Sequence, residues 1–150
     1  MFVDLPAAWH ETVECALHAS VVYGVPANIV LAVAEVENGD PYLPHRNTNG
    51  SLDFGRMQTN SVHLKELSRH GITEHDLRQG GCYPIELATW MIGGHIQRCN
   101  GEFWRCVANY HSATPAMNQG YRSKLLPAAS RWARWLTGHV PTIEFKRAKE

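Results

Sequence analysis

Apolar residues recur along most of the chain at the spacing that is typical of α-helices. The first predicted helix runs from about Pro6 to Tyr23, where proline suits the first turn and Gly24 follows as a terminator. Its apolar stripe consists of Trp9, Val13, Ala16, Leu17 and Val21. The second helix begins near Pro26 and ends at Gly39. It contains so few polar groups that we predict it to be buried.

Further helices are predicted over residues 61–70, 84–97, 102–110 and 117–136, with Pro127 kinking or dividing the last one. A long loop, Asp40 to Asn60, separates the second helix from the third and is rich in turn-forming residues. No alternating strand pattern is convincing, although Asn49-Gly50 leaves room for a small β-hairpin. The pattern therefore predicts an all-α domain over residues 1–137 and a flexible C-terminal tail over residues 138–150.

Length and charge narrow the class of protein. The 150 residues are enough for one domain, and 14 basic and 14 acidic side chains give a net charge of zero. This balance favours neither a nucleic acid nor an anionic membrane as partner. No apolar run is long enough to span a membrane. The first residues lack the pattern of a secretory signal, so we expect either an intracellular protein or a signal peptide that has been removed.

Glu37 is the most informative polar residue, because it closes a helix that is otherwise almost entirely apolar. A carboxyl held against apolar walls has its charged form disfavoured, so its pKa rises. A raised pKa suits a general acid that cleaves a glycosidic bond near neutral pH. The alternative is an ordinary surface glutamate in a last helical turn. Glu35 points to a different face and is expected to meet solvent or a basic partner.

The loop over residues 47–60 mixes glycines, amides and one carboxylate, as sugar-binding loops do. Gly55 allows the backbone to approach a ligand closely. Gln58 and Asn60 carry donors and acceptors that suit hydroxyl and acetamido groups. The alternative is a turn-rich connector in which Asn60 caps the following helix.

A helix end over residues 107–112 carries a second group of polar and aromatic side chains, namely Asn109, Tyr110 and His111. Side chains of this kind can line a groove that binds sugar. The alternative is a tyrosine that belongs to the core.

In the order of these three segments, the chain resembles the lytic transglycosylases of the SLT type in the lysozyme-like superfamily. The resemblance extends from about Cys15 to Tyr121. Residues 37–39, Glu-Asn-Gly, match the family's Glu-Ser-Gly, and residues 55–60, Gly-Arg-Met-Gln-Thr-Asn, match Gly-Leu-Met-Gln-Ile-Asn. Residues 108–111 match Ala-x-Tyr-Asn-x-Gly in part. The run Asn-x-Asn-Gly-Ser-x-Asp at residues 47–53 is particular to small members associated with type III and type IV secretion, conjugation and type IV pili. The family pattern is broken at Asn38, Arg56 and His111.

The resemblance implies a lysozyme-like α-helical fold with a long active-site loop, and a mechanism that needs neither metal nor cofactor. Glu37 would protonate the glycosidic oxygen between N-acetylmuramic acid and N-acetylglucosamine. Its carboxylate would then take a proton from the muramoyl 6-hydroxyl, which attacks the anomeric carbon and leaves a 1,6-anhydro end. The residues expected to bind the glycan are Met57, Gln58, Asn60, Asn109, Tyr110 and His111.

Asp53 leaves the outcome of this reaction open. The resemblance implies that it faces Glu37 across the cleft, where it stabilises an oxocarbenium-like state or positions a water. Attack by water would make the protein a hydrolytic muramidase that uses both carboxyls. The alternative for Asp53 is a structural role in closing a turn. A third possibility for the whole chain is a non-catalytic protein that binds peptidoglycan during assembly.

The four cysteines allow three pairings, and the residues alone do not choose among them. The resemblance implies a bridge between Cys15 and Cys82. A bridge between Cys99 and Cys106 would then join two consecutive helices, and two disulfides fit the periplasm, with a signal peptide already removed. The rival is a zinc site built from His95, Cys99, Cys106 and His111, although the spacing of its cysteines is wider than usual.

The resemblance also implies the partners. They are peptidoglycan glycan strands and the proteins of a secretion, conjugation or pilus machine. We expect the protein to be a monomer.

Overall fold

The computed structural model describes residues 4–140, which form seven α-helices and one small sheet. The helices are α1 (Ala7–Tyr23), α2 (Ala27–Glu37), α3 (Leu64–Leu67), α4 (Glu74–Leu77), α5 (Tyr83–Arg98), α6 (Phe103–Ala108) and α7 (Pro115–His139). The antiparallel sheet has the order β1 (His45–Arg46), β2 (Leu52–Phe54), β3 (Thr59–Asn60). The mostly helical class is confirmed and agrees with a lysozyme-like fold. The hairpin near Asn49-Gly50 is present, and a third strand extends it.

Helix α2 lies at the centre of the main core. Six consecutive residues from Ile29 to Ala34 are at most 2% exposed, and the helix packs between α1 and α7. The predicted burial of this helix is confirmed. It ends at Glu37, and Asn38 caps it in the left-handed conformation with φ 46°. The chain thus carries a carboxyl to the end of its most buried helix.

Helix α1 departs from its predicted stripe at one position. Val13 and Ala16 are fully buried, but Val21 is 75% exposed. At 100° per residue, Val21 lies about 80° around the helix from Val13, at the edge of the apolar face. The final turn of α1 therefore presents a valine to solvent.

Two disulfides cross-link the helices. The long-range disulfide joins Cys15 on α1 to Cys82, which precedes α5, across a sequence separation of 67. The short disulfide joins Cys99 to Cys106 on α6, with a separation of 7. The zinc alternative is wrong for this structure, because the short disulfide uses both of the thiols that zinc would need.

A second, smaller core lies beneath the sheet and consists of Phe54, Leu67, Leu77 and Leu87. The segment predicted as one helix over 61–70 is broken into α3 and two flanking 3₁₀ turns, Ser61–His63 and Ser68–His70. Gly71 ends this segment with φ 74°. Leu87 of α5 belongs to this core, so the sheet and the short elements pack against that helix.

Helix α7 runs through Pro127 without dividing and ends at His139, so the first residues of the expected tail are helical. Residues 141–150 lie outside the described part of the chain, and the flexibility of the tail stays a prediction. Within residues 4–140, no helix combines the length and apolar character that crossing a bilayer requires.

Candidate active site

A cleft of about 590 Å³ lies between the end of α2, the sheet and the end of α6. Six of the eight residues predicted as catalytic or glycan-binding line it, namely Glu37, Asp53, Gln58, Asn60, Tyr110 and His111. The structure therefore brings together segments that are far apart in the sequence. The other two, Met57 and Asn109, are not among the residues that line the cleft.

Glu37 is half-buried, and burial raises its pKa to about 7. The nearby Asp53 charge raises the pKa further, because two negative charges in one cleft repel each other. The Tyr121 hydroxyl and the positive charge of Lys124 act in the opposite direction. Burial is the largest of these effects, so Glu37 keeps its proton for much of the time near neutral pH.

Tyr121 on α7 is a site residue that the sequence analysis missed. Its side chain is buried, and its hydroxyl lies near enough to Glu37 to lower the pKa of the carboxyl. Within residues 4–140 this hydroxyl forms no hydrogen bond of standard geometry, so the pair is a close polar contact. Helical periodicity with Leu125, Ala128 and Trp132, which are also buried, could have placed Tyr121 on the inner face of α7.

Asp53 is held in the cleft by two amide side chains. The sheet register pairs it with His45 on one side and with Asn60 on the other. Asn47 Nδ2 donates to Asp53 Oδ2 at 2.9 Å, and Asn60 Nδ2 donates to Asp53 Oδ1 at 2.7 Å. Both amides also donate to Ser51 Oγ. This network fixes the orientation of the carboxyl before any substrate arrives.

Asn47 is a second site residue that the sequence analysis did not single out, although it opens the run over residues 47–53. Asn60 has an expected capping role as well, because its Oδ1 accepts from the Val62 N–H at 2.9 Å. Its donors and its acceptor are thus already used within the protein. Asn60 therefore shapes the cleft by holding Asp53.

The turn over residues 55–58 packs directly against the end of α2. Gly55 and Gln58 have positive φ values of 67° and 51°, and Gln58 Nε2 donates to the Gly55 carbonyl at 3.0 Å. The Gly39 N–H donates to the Arg56 carbonyl at 3.2 Å. A Cβ atom at Gly39 would overlap the Gly55 oxygen and the Gln58 side-chain nitrogen. Only glycine permits this approach, which holds the Gln58 side chain against the residue that follows the end of α2.

Met57 and Asn109, which were predicted to bind the glycan, both make contacts within the protein. The Met57 side chain is fully buried in the main core, where it cannot reach a substrate. Its carbonyl accepts a hydrogen bond from the Tyr110 hydroxyl at 2.7 Å. The Asn109 side chain accepts from Asn118 Nδ2 at 3.0 Å. The sequence pattern did not show which of these side chains turn inward.

His111 lines the cleft and stacks on the ring of Tyr121, with centroids 4.7 Å apart and planes 5° from parallel. Partial burial lowers its pKa, and the charge of Lys124 lowers it further. Both effects favour the neutral ring, which can donate and accept hydrogen bonds. His111 therefore covers the aromatic residue that contacts Glu37.

Glu35 does not share the cleft with Glu37. Arg131 Nη2 lies 2.7 Å from Glu35 Oε1, and the Trp132 indole N–H donates to Oε2 at 2.8 Å. The expected pairing of Glu35 with a base is confirmed.

The cleft thus holds one carboxyl with a pKa near neutrality and a second carboxyl fixed by amide donors. Polar side chains, among them Gln58 and Asn60, line the cleft around them. Within residues 4–140, no cluster of three or more histidine, cysteine, aspartate or glutamate side chains is arranged to hold a metal ion. The protein groups that this site offers for chemistry are a proton donor and a fixed negative charge.

Comparison with known proteins gives one family and several relatives. Residues 14–125 match the family described as "Transglycosylase SLT domain". A "Putative peptidoglycan-binding-like protein" of Escherichia coli (strain K12) is 31% identical over 122 residues, which cover 76% of this chain and 77% of the relative. "Invasion protein IagB" of Salmonella typhimurium (strain SL1344) is 27% identical, over 81% and 74% of the two chains. "Protein IpgF" of Shigella sonnei is 30% identical, over 74% and 73%.

Proposed function

The chain belongs to the family of transglycosylase SLT domains, and on that premise we propose that it is a peptidoglycan lytic transglycosylase with Glu37 as its acid and base. The bond cleaved is the β-1,4 linkage between N-acetylmuramic acid and N-acetylglucosamine. The observation that carries the proposal is the half-buried Glu37, whose pKa of about 7 suits it to both roles near neutral pH.

In the proposed reaction, the Glu37 carboxyl gives its proton to the glycosidic oxygen, and the bond from that oxygen to the anomeric carbon breaks. Positive charge then develops on the sugar ring, where the fixed Asp53 carboxylate stabilises it. The Glu37 carboxylate takes the proton of the muramoyl 6-hydroxyl as its oxygen bonds to the anomeric carbon. Glu37 regains its proton, and the product is a 1,6-anhydro end.

The polar groups on the cleft wall would bind the sugar substituents. The Gln58 side-chain nitrogen donates to the Gly55 carbonyl, which leaves the side-chain oxygen as the group we assign to the sugar. His111 offers ring nitrogens on the cleft wall. Tyr110 lines the wall with its ring, since its hydroxyl already donates to Met57. We assign Gln58 and His111 to hydrogen bonding with hydroxyl and acetamido groups, and Tyr110 to contact with a sugar face.

A hydrolytic muramidase is the second candidate, and the position of Asp53 favours it. The Asp53 charge acts on Glu37, so the two carboxyls share one cleft, as in two-carboxylate glycosidases. Water positioned by Asp53 would compete with the 6-hydroxyl for the anomeric carbon. Only the transglycosylase leaves anhydromuramic ends, so mass spectrometry of digested peptidoglycan separates the two reactions.

The test compares turbidity loss of purified peptidoglycan with wild type, Glu37→Gln and Asp53→Asn. Glu14→Gln, an exposed glutamate on α1, is the matched control. We expect Glu37→Gln to abolish clearing, Asp53→Asn to weaken it and the control to leave it unchanged. Equal clearing by wild type and Glu37→Gln would reject the assignment. Peptidoglycan binding without clearing by any of these proteins would support the third candidate, a non-catalytic binding protein.

We place the protein in the periplasm, because two disulfides suit an oxidising compartment. There it would open the wall locally for a secretion, conjugation or pilus machine. Similarity to a protein named for invasion agrees with such a setting. We expect it to act as a monomer on glycan strands.

A further inference from the structure

Two of the positions at which this chain departs from the family pattern meet in the structure. Arg56 Nη1 donates to Asn38 Oδ1 at 3.5 Å, and Arg56 Nη2 donates to the Ala8 carbonyl at 3.3 Å. The guanidinium also lies over the ring of Trp9, with Cζ 4.8 Å from the ring centroid. The arginine thus links the end of α2 to the start of α1, a contact that an aliphatic side chain cannot make.

Arg56 contacts both residues that follow Glu37. Its side chain contacts Asn38, and its backbone carbonyl accepts from the Gly39 N–H at 3.2 Å. Asn38 has the left-handed conformation, which non-glycine residues adopt at an energetic cost. The last turn of a helix frays readily unless side chains or neighbouring segments hold it. Arg56 provides such a restraint at the turn that carries Glu37.

We propose that Arg56 is a positioning residue for Glu37, which clamps the end of α2 to α1 and keeps the acid inside the cleft. The proposal rests on the proposed function, in which Glu37 is the acid. The guanidinium lies over Trp9, and Arg56 is not among the residues that line the cleft. Its effect on catalysis therefore passes through the position of the helix end.

The direction of a pKa change separates this role from a simple charge effect. Removal of a nearby positive charge raises the pKa of a carboxyl, because the charged form loses a favourable partner. Release of Glu37 from its apolar surroundings toward water lowers its pKa, because burial is what raises it. The two explanations predict shifts of opposite sign in Arg56→Leu.

The experiment measures the Glu37 pKa by carboxyl ¹³C NMR titration, with Glu37→Gln identifying the resonance. Three variants are compared. Arg56→Leu removes the charge, whereas Arg56→Lys keeps the charge but loses the planar guanidinium group. Asn38→Ser removes the contact between the Asn38 side chain and Arg56. Arg69→Leu, an exposed arginine, is the control. We expect Arg56→Leu and Arg56→Lys both to lower the pKa, Asn38→Ser to lower it less, and the control to leave it unchanged.

Kinetics on soluble glycan fragments complete the test. Loss of positioning lowers kcat by about 10-fold with little change in KM, since small displacements of a catalytic group are costly. An unchanged or raised Glu37 pKa in Arg56→Leu would overturn the proposal, as would a normal pKa in Arg56→Lys. If wild type itself cleaves no glycan, the proposed function fails, while the NMR titration still decides whether Arg56 holds Glu37 in place.

Discussion

Gly39→Ala is the sharpest steric test of the packing between the end of α2 and the turn over residues 55–58. A single methyl group at residue 39 would overlap the Gly55 carbonyl oxygen and the Gln58 side-chain nitrogen, and would lie 2.9 Å from Gln58 Cδ. The φ of Gly39 lies outside the left-handed region, so backbone strain does not contribute. The loss of stability therefore comes from this steric overlap alone.

The size of the effect follows from the atoms that must move. The Gln58 side chain can swing away, but the Gly55 oxygen is backbone and moves only with the turn. Overpacking of this kind costs about 1–3 kcal/mol. For a domain of this size, each kcal/mol lowers Tm by roughly 2–4 °C. We therefore expect Gly39→Ala to lower Tm by about 2–12 °C and to reduce kcat, because Gln58 and the Glu37 helix end are displaced.

Differential scanning calorimetry and peptidoglycan clearing measure the two effects. Gly120→Ala is the matched control, because Gly120 lies inside α7 with no atom within 4 Å of an added Cβ. Alanine is the better helix former, so the control should stabilise the protein by about 0.5–1 kcal/mol. If Gly39→Ala were as stable and active as wild type, the close packing of these two segments would be wrong.

Three further predictions concern stability and pH. Replacing both cysteines of the long-range disulfide by serine should lower the free energy of unfolding by about 4 kcal/mol. The same change at the short disulfide should lower it by about 2 kcal/mol, because the shorter loop restricts the unfolded chain less. Urea titrations measure both losses, and the reverse order would contradict this explanation. Tyr121→Phe should raise the Glu37 pKa and move the alkaline limb of kcat to higher pH, since the hydroxyl lowers that pKa; a limb shifted to lower pH would contradict the contact. The contribution of Glu37 to stability should be lost as pH rises from about 4.5 to 7, because folding disfavours its carboxylate. Glu37→Gln lacks this loss and should be more stable at pH 8 by on the order of 3 kcal/mol; equal pH dependence of the two proteins would refute the raised pKa.

The sequence predicted the parts of the structure that depend on local pattern. Helix α2 was recognisable because six consecutive apolar residues leave no polar face, and all six are buried in the structure. Glu37 stood out because it interrupts that apolar pattern. Gly24 and Gly71 end their helical segments in the left-handed conformation, as glycine at these positions indicates. Such features need only the residue and its near neighbours.

The remaining features depend on contacts between distant residues. Met57 lies in a polar loop, but its side chain turns into the main core. Tyr121 lies 84 positions after Glu37, and only the packing of α7 on α2 brings the two together. Likewise, the hydrogen bonds of Asp53 follow from the register of the sheet, which strands of two or three residues do not specify.

The two cross-links also make the stability of the domain depend on where the chain is located. Glutathione and thioredoxin keep thiols reduced in the cytosol. If both bridges were absent, the free energy of unfolding would fall by about 6 kcal/mol. This loss is comparable to the entire net stability of many domains. A chain whose thiols are kept reduced would therefore hold this fold much less stably than the disulfide-bonded chain.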